Sequence, residues 1–248
     1  MGKTFEVLEK EGRKEKSDIA EKLKAHTKPP LMPRIFLRGE IPPGLHEANL
    51  QLKKKILSAG QDIKSILFSS AKHGEGTSTI SAYFALSLSK EGDSRILAID
   101  ANLRSPVFHK VFGVQNGKGL AELLTNEMDI NSAIQATSYR NLLVMPAGKC
   151  TQNPGHKFEN KRLKGIIGEL KAEFDFVILD SAPILPYSDT QVLASKLDGV
   201  ILIVKAEHTR WEVVQNAKED LEKSGAHILG AILNQRQYHI PEFIYRRL

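Results

Sequence analysis

The sequence has few of the residues that crosslink a chain or carry it through a membrane. Its 248 residues include one cysteine, Cys150, and one tryptophan. A single cysteine excludes an internal disulfide and suits a reducing compartment, and we interpret Cys150 as a loop residue without a chemical role. The longest apolar runs, such as 199–204, have the length of a strand and are too short to span a bilayer. No signal-peptide pattern opens the sequence, so we expect a cytoplasmic protein.

Charge and length leave several classes of protein open. The net charge is +6, which permits contact with anionic lipid or nucleic acid but requires neither. A hydrophobic fraction of 41% predicts a core, and the chain is long enough for one large α/β domain or two small ones. We divide it into a polar, proline-containing arm (1–43), a folded domain (44–236) and a basic, aromatic tail (237–248). The arm is either a mobile tail with a short docking helix or a charged disordered leader.

Apolar segments of strand length alternate with helical segments through the folded domain. The expected strands are one that begins at Ile66 and others at 95–100, 142–148, 174–180, 199–206 and 228–234. The expected helices are 45–58, one that runs through 80–86, and 119–124, 160–173, 189–196 and 209–224. Strands that are apolar throughout, joined by helices, are typical of the α/β class with a mostly parallel twisted sheet buried on both faces. Ligands of such sheets bind beyond the carboxyl ends of the strands.

The stretch that begins at Ile66 combines a buried strand, a loop with two glycines and the start of a helix. Such a turn binds phosphate, because the free amides of the first helical turn and the helix dipole favour an anion. In the P-loop pattern G-x-x-x-x-G-K-[ST], Ala71 takes the first position, Gly76 the second glycine and Ser78 the metal-binding hydroxyl. The lysine position holds Thr77, so the loop keeps the shape and lacks the cation. A glycine-rich turn without a ligand is the alternative.

Two aspartates end apolar strands of the predicted sheet. Asp100 and Asp180 follow separate strands, and the carboxyl ends of parallel strands meet at one edge. Mg²⁺ takes a few protein oxygens and keeps phosphates and waters as its other ligands. A P-loop hydroxyl and two strand-end carboxylates would supply those oxygens. The alternative is that either aspartate caps the helix that follows it.

Three motifs follow one another along the chain: His73-Gly74-Glu75-Gly76-Thr77-Ser78-Thr79, Asp100-Ala101-Asn102-Leu103-Arg104-Ser105-Pro106 and Asp180-Ser181-Ala182-Pro183. Their order resembles the bacterial tyrosine kinase (BY-kinase) family, the cytoplasmic autokinases of capsule and exopolysaccharide assembly. The patterns of that family are P-G-E-G-K-[ST]-T, D-x-D-x-R-x-P and D-[TS]-P-P. The segments between the motifs are similar as well, so that the resemblance covers roughly residues 47–236. It implies a P-loop NTPase architecture of the deviant Walker, SIMIBI-like type.

The chain departs from the family patterns at positions that serve catalysis. Thr77 replaces the P-loop lysine, and Asn102, which carries no charge, replaces the second aspartate of D-x-D. By analogy with deletion of an oxyanion-hole donor, the missing lysine costs on the order of 10²–10³ in rate. Contacts from the loop amides, Ser78 and the aspartates would still bind a nucleotide with Mg²⁺.

Positions that serve assembly and phosphate acceptance depart as well. The family carries E-x-x-R-x-x-R, used for ring assembly, in the helix before the P-loop. Here Glu47 is kept, whereas Leu50 and Lys53 replace the arginines. The family's tail holds a tyrosine cluster, and this tail offers Tyr238 and Tyr245 as candidate phosphoacceptors.

The resemblance implies a site made of the following residues. Asp100 and Asp180 would be catalytic, and both would hold Mg²⁺ together with Ser78. The nucleotide, ATP or ADP, would be bound by Lys72, Gly74, Glu75, Gly76, Thr77, Ser78, Thr79 and Asn234. Asn234 ends the last strand, where the resembling ATPases place an asparagine against adenine, and a turn asparagine without a ligand is the alternative.

We expect a BY-kinase-like protein of exopolysaccharide or capsule biosynthesis that binds ATP or ADP with Mg²⁺ and has reduced or lost tyrosine kinase activity. Two alternatives stay open. One is an active tyrosine autokinase with a compensating cation. The other is a partition or septum-positioning ATPase, whose pattern K-G-G-x-G-K-[ST] has its first lysine at Lys72.

The implied partners are a membrane-embedded regulator of polysaccharide chain length, further copies of the chain, and an anionic membrane surface. The apolar and basic residues 243–247 would suit that surface, unless Phe243 and Ile244 pack back on the domain. We expect no nucleic-acid partner. The implied location is peripheral, at the inner face of the bacterial membrane.

Overall fold

The computed structural model describes residues 21–22, 41, 43–60, 62–125, 128–149, 157–159 and 162–236. Most of the predicted arm lies outside these residues. So do Cys150 and the whole tail, including Tyr238 and Tyr245.

Helices and strands alternate along the described chain. The helices are α1 (Pro43–Ala59), α2 (Thr77–Ser89), α3 (Phe108–Phe112), α4 (Leu120–Thr125), α5 (Ile130–Ala133), α6 (Arg162–Glu173), α7 (Ser188–Ala194) and α8 (Trp211–Lys223). The strands are β1 (Ser65–Ser70), β2 (Ile96–Asp100), β3 (Gln135–Ala136), β4 (Leu142–Met145), β5 (Phe176–Asp180), β6 (Gly199–Lys205) and β7 (Ile228–Asn234). Among these helices, none is long and apolar enough to span a membrane.

The strands form one sheet in the order β3-β4-β2-β5-β1-β6-β7. Every neighbouring pair is parallel except β3 and β4, which are antiparallel. The mostly parallel α/β fold predicted from the apolar strands is therefore confirmed. Because the central strands run in one direction, β1, β2 and β5 all end at the same edge of the sheet.

The sheet separates two apolar layers, which explains why its strands are apolar on both faces. Leu67, Leu97 and Leu179 belong to the layer that includes α4, α6, α7 and α8. Phe68 and Ile178 belong to the layer that includes α1, α2 and α3. Burying a large aliphatic or aromatic side chain contributes roughly 1.5–3 kcal/mol, so these two layers are the main source of stability.

The fold differs from the sequence prediction in its short elements and at one edge. The sequence did not predict α3, α5 or β3, because segments of five, four and two residues are too short to show a hydrophobic period. The prediction of a strand buried on both faces is wrong for β7, which lies at the edge of the sheet and leaves Leu233 59% exposed.

Candidate functional site

The P-loop connects β1 to α2 with a backbone that requires glycine at its end. Gly76, which precedes the first residue of α2, has φ of +92°, in the left-handed region. A Cβ atom at this position would lie 2.3 Å from Nδ2 of Asn234. Both the turn and the close approach of Asn234 therefore disfavour a larger residue at this position, and the predicted strand, glycine loop and helix are confirmed.

A cavity of about 240 Å³ opens beside this loop. The P-loop and the start of α2 contribute His73, Gly74, Gly76, Thr77, Ser78 and Thr79 to its wall. Asn102 and Val107 follow β2, and Ser181 and Pro183 follow β5. The cavity therefore lies at the carboxyl edge of the sheet and is lined by parts of all three sequence motifs.

Glu75 and Asn234 hold the loop in place. The Glu75 side chain is 3% exposed, and its carboxylate accepts hydrogen bonds from the Lys72 amide (3.1 Å) and from the Thr209 hydroxyl. The Glu75 carbonyl accepts a bond from Nδ2 of Asn234 (2.8 Å). Glu75 and Asn234 thus contribute to the shape of the loop, whereas contact between Asn234 and a nucleotide base stays a prediction.

The two aspartates lie side by side. Asp100 and Asp180 are paired positions of β2 and β5, and both residues are fully buried. Ser78 Oγ donates to Asp180 Oδ2 at 2.5 Å, and Ser81 Oγ donates to Asp180 Oδ1 at 3.3 Å. The predicted placement of Asp100, Asp180 and Ser78 at one edge of the sheet is confirmed.

Asp100 also has a structural role, as the helix-cap alternative proposed. Its Oδ2 accepts bonds from the amides of Val107 and Phe108, both at 2.8 Å, and its Oδ1 accepts one from the Asn102 amide at 3.2 Å. The bonds from Val107 and Phe108 satisfy amides at the start of α3 that have no partner within the helix. Asp100 therefore fixes the segment that carries Asn102 and Val107 into the cavity wall.

Burial opposes the ionisation of both aspartates, and the neighbouring Asp100 further opposes that of Asp180. Burial raises the pKa of Asp100 to about 7, although three backbone hydrogen bonds favour its charged form. Burial, and after it the charge of Asp100, raises the pKa of Asp180 well above its ordinary value, against the bonds from Ser78 and Ser81. Two such carboxylates repel one another when both are charged, and a divalent cation beside them would remove that repulsion.

The donor set fits a magnesium ion that keeps most of its ligands from elsewhere. The described residues include no group of three or more histidine, cysteine, aspartate or glutamate side chains suited to a metal. Two carboxylates and the Ser78 hydroxyl are all oxygen donors, which Mg²⁺ prefers, and the remaining positions would be taken by phosphate oxygens and water.

The residues that replace the family's charged groups both line the cavity. Thr77 is the first residue of α2 and is 8% exposed. Asn102 accepts a bond from the Ser105 amide (3.2 Å) through its side-chain oxygen. Lys72 is exposed and does not belong to the described cavity wall. Hence no lysine or arginine lines the cavity in the part of the chain that the structure describes.

Two contacts of the site were not predicted. Ser81 lies three residues after Ser78, on the same face of α2, and this spacing was the available signal. Thr209 meets Glu75 across 134 residues of sequence, and no local pattern predicts that contact.

The sequence and the fold are similar to those of known proteins. A family model described as an AAA domain matches residues 63–225. The tyrosine-protein kinase YwqD of Bacillus subtilis is 34% identical over 180 residues, which cover 73% of this chain and 76% of the relative. The kinase domain of the Escherichia coli tyrosine kinase ETK superposes with a TM-score of 0.73 at 26% identity, over 79% of this chain and 78% of that one. The chimerical protein CapA2B2 superposes with a TM-score of 0.76 at 25% identity, over 90% of this chain and all of that one.

The parallel sheet, the glycine loop before α2 and the strand-end aspartates define a P-loop NTPase fold. Within that class, the identity to YwqD over three quarters of the relative decides the family. The chain belongs to the bacterial tyrosine kinase (BY-kinase) family.

Proposed function

We propose that this protein binds ATP or ADP with Mg²⁺ in the cavity beside the P-loop and serves capsule or exopolysaccharide biosynthesis with reduced or lost tyrosine kinase activity. The observation that supports this proposal most strongly is the combination of a glycine loop before α2 and a strand-end carboxylate pair with an uncharged residue, Thr77, at the lysine position.

Binding is supported by groups that the chain retains. The amides at the start of α2 have no partner within the helix and favour a phosphate. Ser78 and Asp180 are already in contact, so the two would be preorganised to hold Mg²⁺. The repulsion between the charged forms of Asp100 and Asp180 further favours the binding of a cation. None of these contributions requires a lysine at position 77.

Reduced transfer follows from the groups that are missing. Phosphoryl transfer depends on positioning and on neutralising charge that develops at the transferred phosphate. A threonine hydroxyl supplies no charge, and loss of one preorganised donor costs on the order of 10²–10³ in rate. Since protein kinases turn over at about 1–100 s⁻¹, we expect a rate of about 10⁻³–1 s⁻¹.

Calorimetric titration of the full chain with Mg²⁺-ADP and with a non-hydrolysable ATP analogue tests binding. We expect saturable binding that is lost in the absence of Mg²⁺ and weakened by Ser78→Ala. Ser195→Ala is a matched control, because Ser195 follows α7 and its hydroxyl donates to the Val192 carbonyl of its own helix. If the protein binds neither nucleotide, the proposal is wrong.

An active kinase with a compensating cation is the second candidate. Lys72 supports it, because this exposed lysine stands in the P-loop where partition ATPases place one that reaches a neighbouring subunit. If Lys72 compensates, Lys72→Ala abolishes nucleotide binding and turnover, whereas Lys118→Ala, at another exposed lysine, leaves both unchanged. If Lys72 is merely a solvated loop residue, both variants behave like the wild type.

We also propose that the protein works at the inner face of the membrane with a membrane-embedded regulator of chain length, as a homo-oligomer or as a single copy. The family supports this placement, and residues 243–247 have an apolar and basic composition suited to an anionic surface. Deletion of residues 241–248 should release the protein from the membrane fraction, and unchanged fractionation would count against docking by the tail.

A further inference from the structure

A chain of side-chain contacts joins the P-loop to the loops after β2 and β5. The His73 ring meets the Tyr187 ring edge-on, with centroids 5.6 Å apart at 79°, and His73 Nε2 lies 3.4 Å from Tyr187 Oη. The Arg104 guanidinium lies over the Tyr187 ring, with Cζ 4.1 Å from the centroid. Asp189 binds Arg104 through two bonds of 3.3 Å, from Nε and from Nη2. We call these four residues the His73 cluster.

The cluster is anchored from its buried end. Asp189 is 3% exposed and belongs to the first turn of α7, which fixes its carboxylate. A carboxylate that binds a guanidinium at two points also fixes the plane of that group. The guanidinium lies over the Tyr187 ring, and this contact restricts the rotation of the ring. Tyr187 can therefore hold the His73 ring in one orientation at the edge of the cavity.

His73 is the cavity-lining residue, among those described, whose side chain can carry a positive charge. The family pattern has proline at this position, which offers neither a charge nor a hydrogen-bond donor. If the Tyr187 hydroxyl donates a hydrogen bond to Nε2, the proton of the neutral ring is on Nδ1, which can then donate a hydrogen bond to a ligand. A protonated ring would donate through both nitrogens.

The missing lysine leaves one part of a nucleotide without a partner. In a P-loop, the amides cradle the inner phosphates, and the lysine reaches the β- and γ-phosphates. With Thr77 in its place, the amides at the start of α2 still serve the inner phosphates, whereas the terminal phosphate has lost its charged donor. His73 precedes Gly76 by three residues and lines the same cavity.

Resting on the nucleotide binding proposed above, we propose that the His73 cluster recognises the terminal phosphate of a nucleoside triphosphate, with His73 as the contacting donor and Tyr187 as its positioning residue. The cluster therefore makes the protein discriminate ATP from ADP. Arg104 and Asp189 act through Tyr187 and do not contact the phosphate.

The test compares the affinities of the full chain for Mg²⁺-ADP and for a Mg²⁺-bound non-hydrolysable ATP analogue. His73→Phe keeps a ring against Tyr187 and removes the donor, and Tyr187→Phe removes the hydroxyl alone. We expect each variant to bind the triphosphate about fivefold to tenfold more weakly, the effect of one hydrogen bond, and to bind ADP within about twofold of the wild type. His73→Gln, which retains a donor, should recover part of the triphosphate affinity.

Two further comparisons separate a positioning role from general damage. Because Tyr187 acts through His73, the double variant His73→Phe/Tyr187→Phe should bind the triphosphate no more weakly than His73→Phe alone. If the two residues contributed independently, their fold losses of affinity would multiply. Tyr139→Phe is the matched control, since Tyr139 precedes β4 at the opposite end of the strands, and it should bind both nucleotides like the wild type.

The outcomes also separate this inference from the proposed function. If the wild type binds neither nucleotide, both the proposed function and the proposed role of the His73 cluster are wrong. If the wild type binds both nucleotides, and the variants bind both as the wild type does or lose the two equally, the cluster does not recognise the terminal phosphate, while nucleotide binding stands.

Discussion

Asp100 and Asp180 are directly paired across neighbouring parallel strands, and both are withdrawn from solvent. The charge of Asp100 makes Asp180 harder to ionise, and the Ser78 hydroxyl donates a hydrogen bond to Asp180 at 2.5 Å. A pair of buried acids costs stability when no ligand is bound, and a cation bound beside the pair would offset that cost.

We therefore predict that Asp180→Asn stabilises the nucleotide-free protein at pH 7 by about 1–2 kcal/mol, because it removes a carboxyl whose ionisation is opposed first by burial and then by the charge of Asp100, and because it keeps the shape. The same variant should lose Mg²⁺-dependent nucleotide binding. Urea denaturation and calorimetry measure the two effects.

Asp198→Asn is the matched control for that change. Asp198 accepts bonds from Lys171 Nζ (2.5 Å) and from the amides of Lys64 (3.0 Å) and Ser65 (2.8 Å). These bonds stabilise the fold, so the substitution should destabilise it by about 1–2 kcal/mol without a specific effect on nucleotide binding. Destabilisation by Asp180→Asn as well would mean that Asp180 has a structural role.

Asp198 also gives a prediction for acid stability. Burial raises its pKa, but the hydrogen bonds from Lys171, Ser65 and Lys64 outweigh burial and hold the pKa below the ordinary 3.8. The folded state therefore binds the proton more weakly than the unfolded state, and the stabilisation is present above about pH 4. It should disappear as the pH falls through the lowered pKa. The difference in unfolding free energy between the wild type and Asp198→Asn should shrink below pH 4, and a constant difference would contradict this.

Gly76→Ala should damage the P-loop more than Gly74→Ala. Both glycines have positive φ, of +92° and +82°, so both substitutions carry backbone strain of about 1–2 kcal/mol. A Cβ at Gly74 meets open space, whereas one at Gly76 displaces the Asn234 side chain that binds Glu75. Thermal denaturation should show the larger loss for Gly76→Ala. Equal decreases in melting temperature would mean that the Asn234 side chain moves aside without a loss of stability.

Contact between Asn234 and the nucleotide base is tested by comparing the affinities for ATP and GTP, because affinity for one nucleotide alone does not distinguish this contact from an effect on the P-loop. The Asn234 side chain donates a hydrogen bond to the Glu75 carbonyl and so stabilises the P-loop. Asn234→Ala should therefore weaken the binding of ATP and of GTP to the same extent. If Asn234 also contacts adenine, the ratio of ATP to GTP affinity should fall severalfold in this variant, since a base edge would lose an amide partner. An unchanged ratio would restrict Asn234 to the loop.

The elements and the carboxylates could be predicted from the sequence because each depends on local information. Apolar runs predict buried strands, and Asp100 and Asp180 end such runs, so parallel strands bring them to one edge. The contact between Glu75 and Thr209 depends on the order of strands in the sheet, which no short pattern encodes. The exposure of β7 has the same cause, because its sequence is as apolar as that of a central strand and only its edge position exposes it.

Replacement of the P-loop lysine by Thr77 is the central feature of this protein, and the phosphoryl-transfer rate of the wild type beside that of Thr77→Lys tests it most directly. A lysine adds one charge-assisted hydrogen bond, which should strengthen Mg²⁺-nucleotide binding by about 1.5–3 kcal/mol. If neither affinity nor rate rises, Asn102 becomes the next residue to restore to aspartate. With Mg²⁺-ATP, the wild type should turn over below about 1 s⁻¹ and Thr77→Lys at least about tenfold faster. A wild-type rate of about 1 s⁻¹ or more would contradict reduced kinase activity.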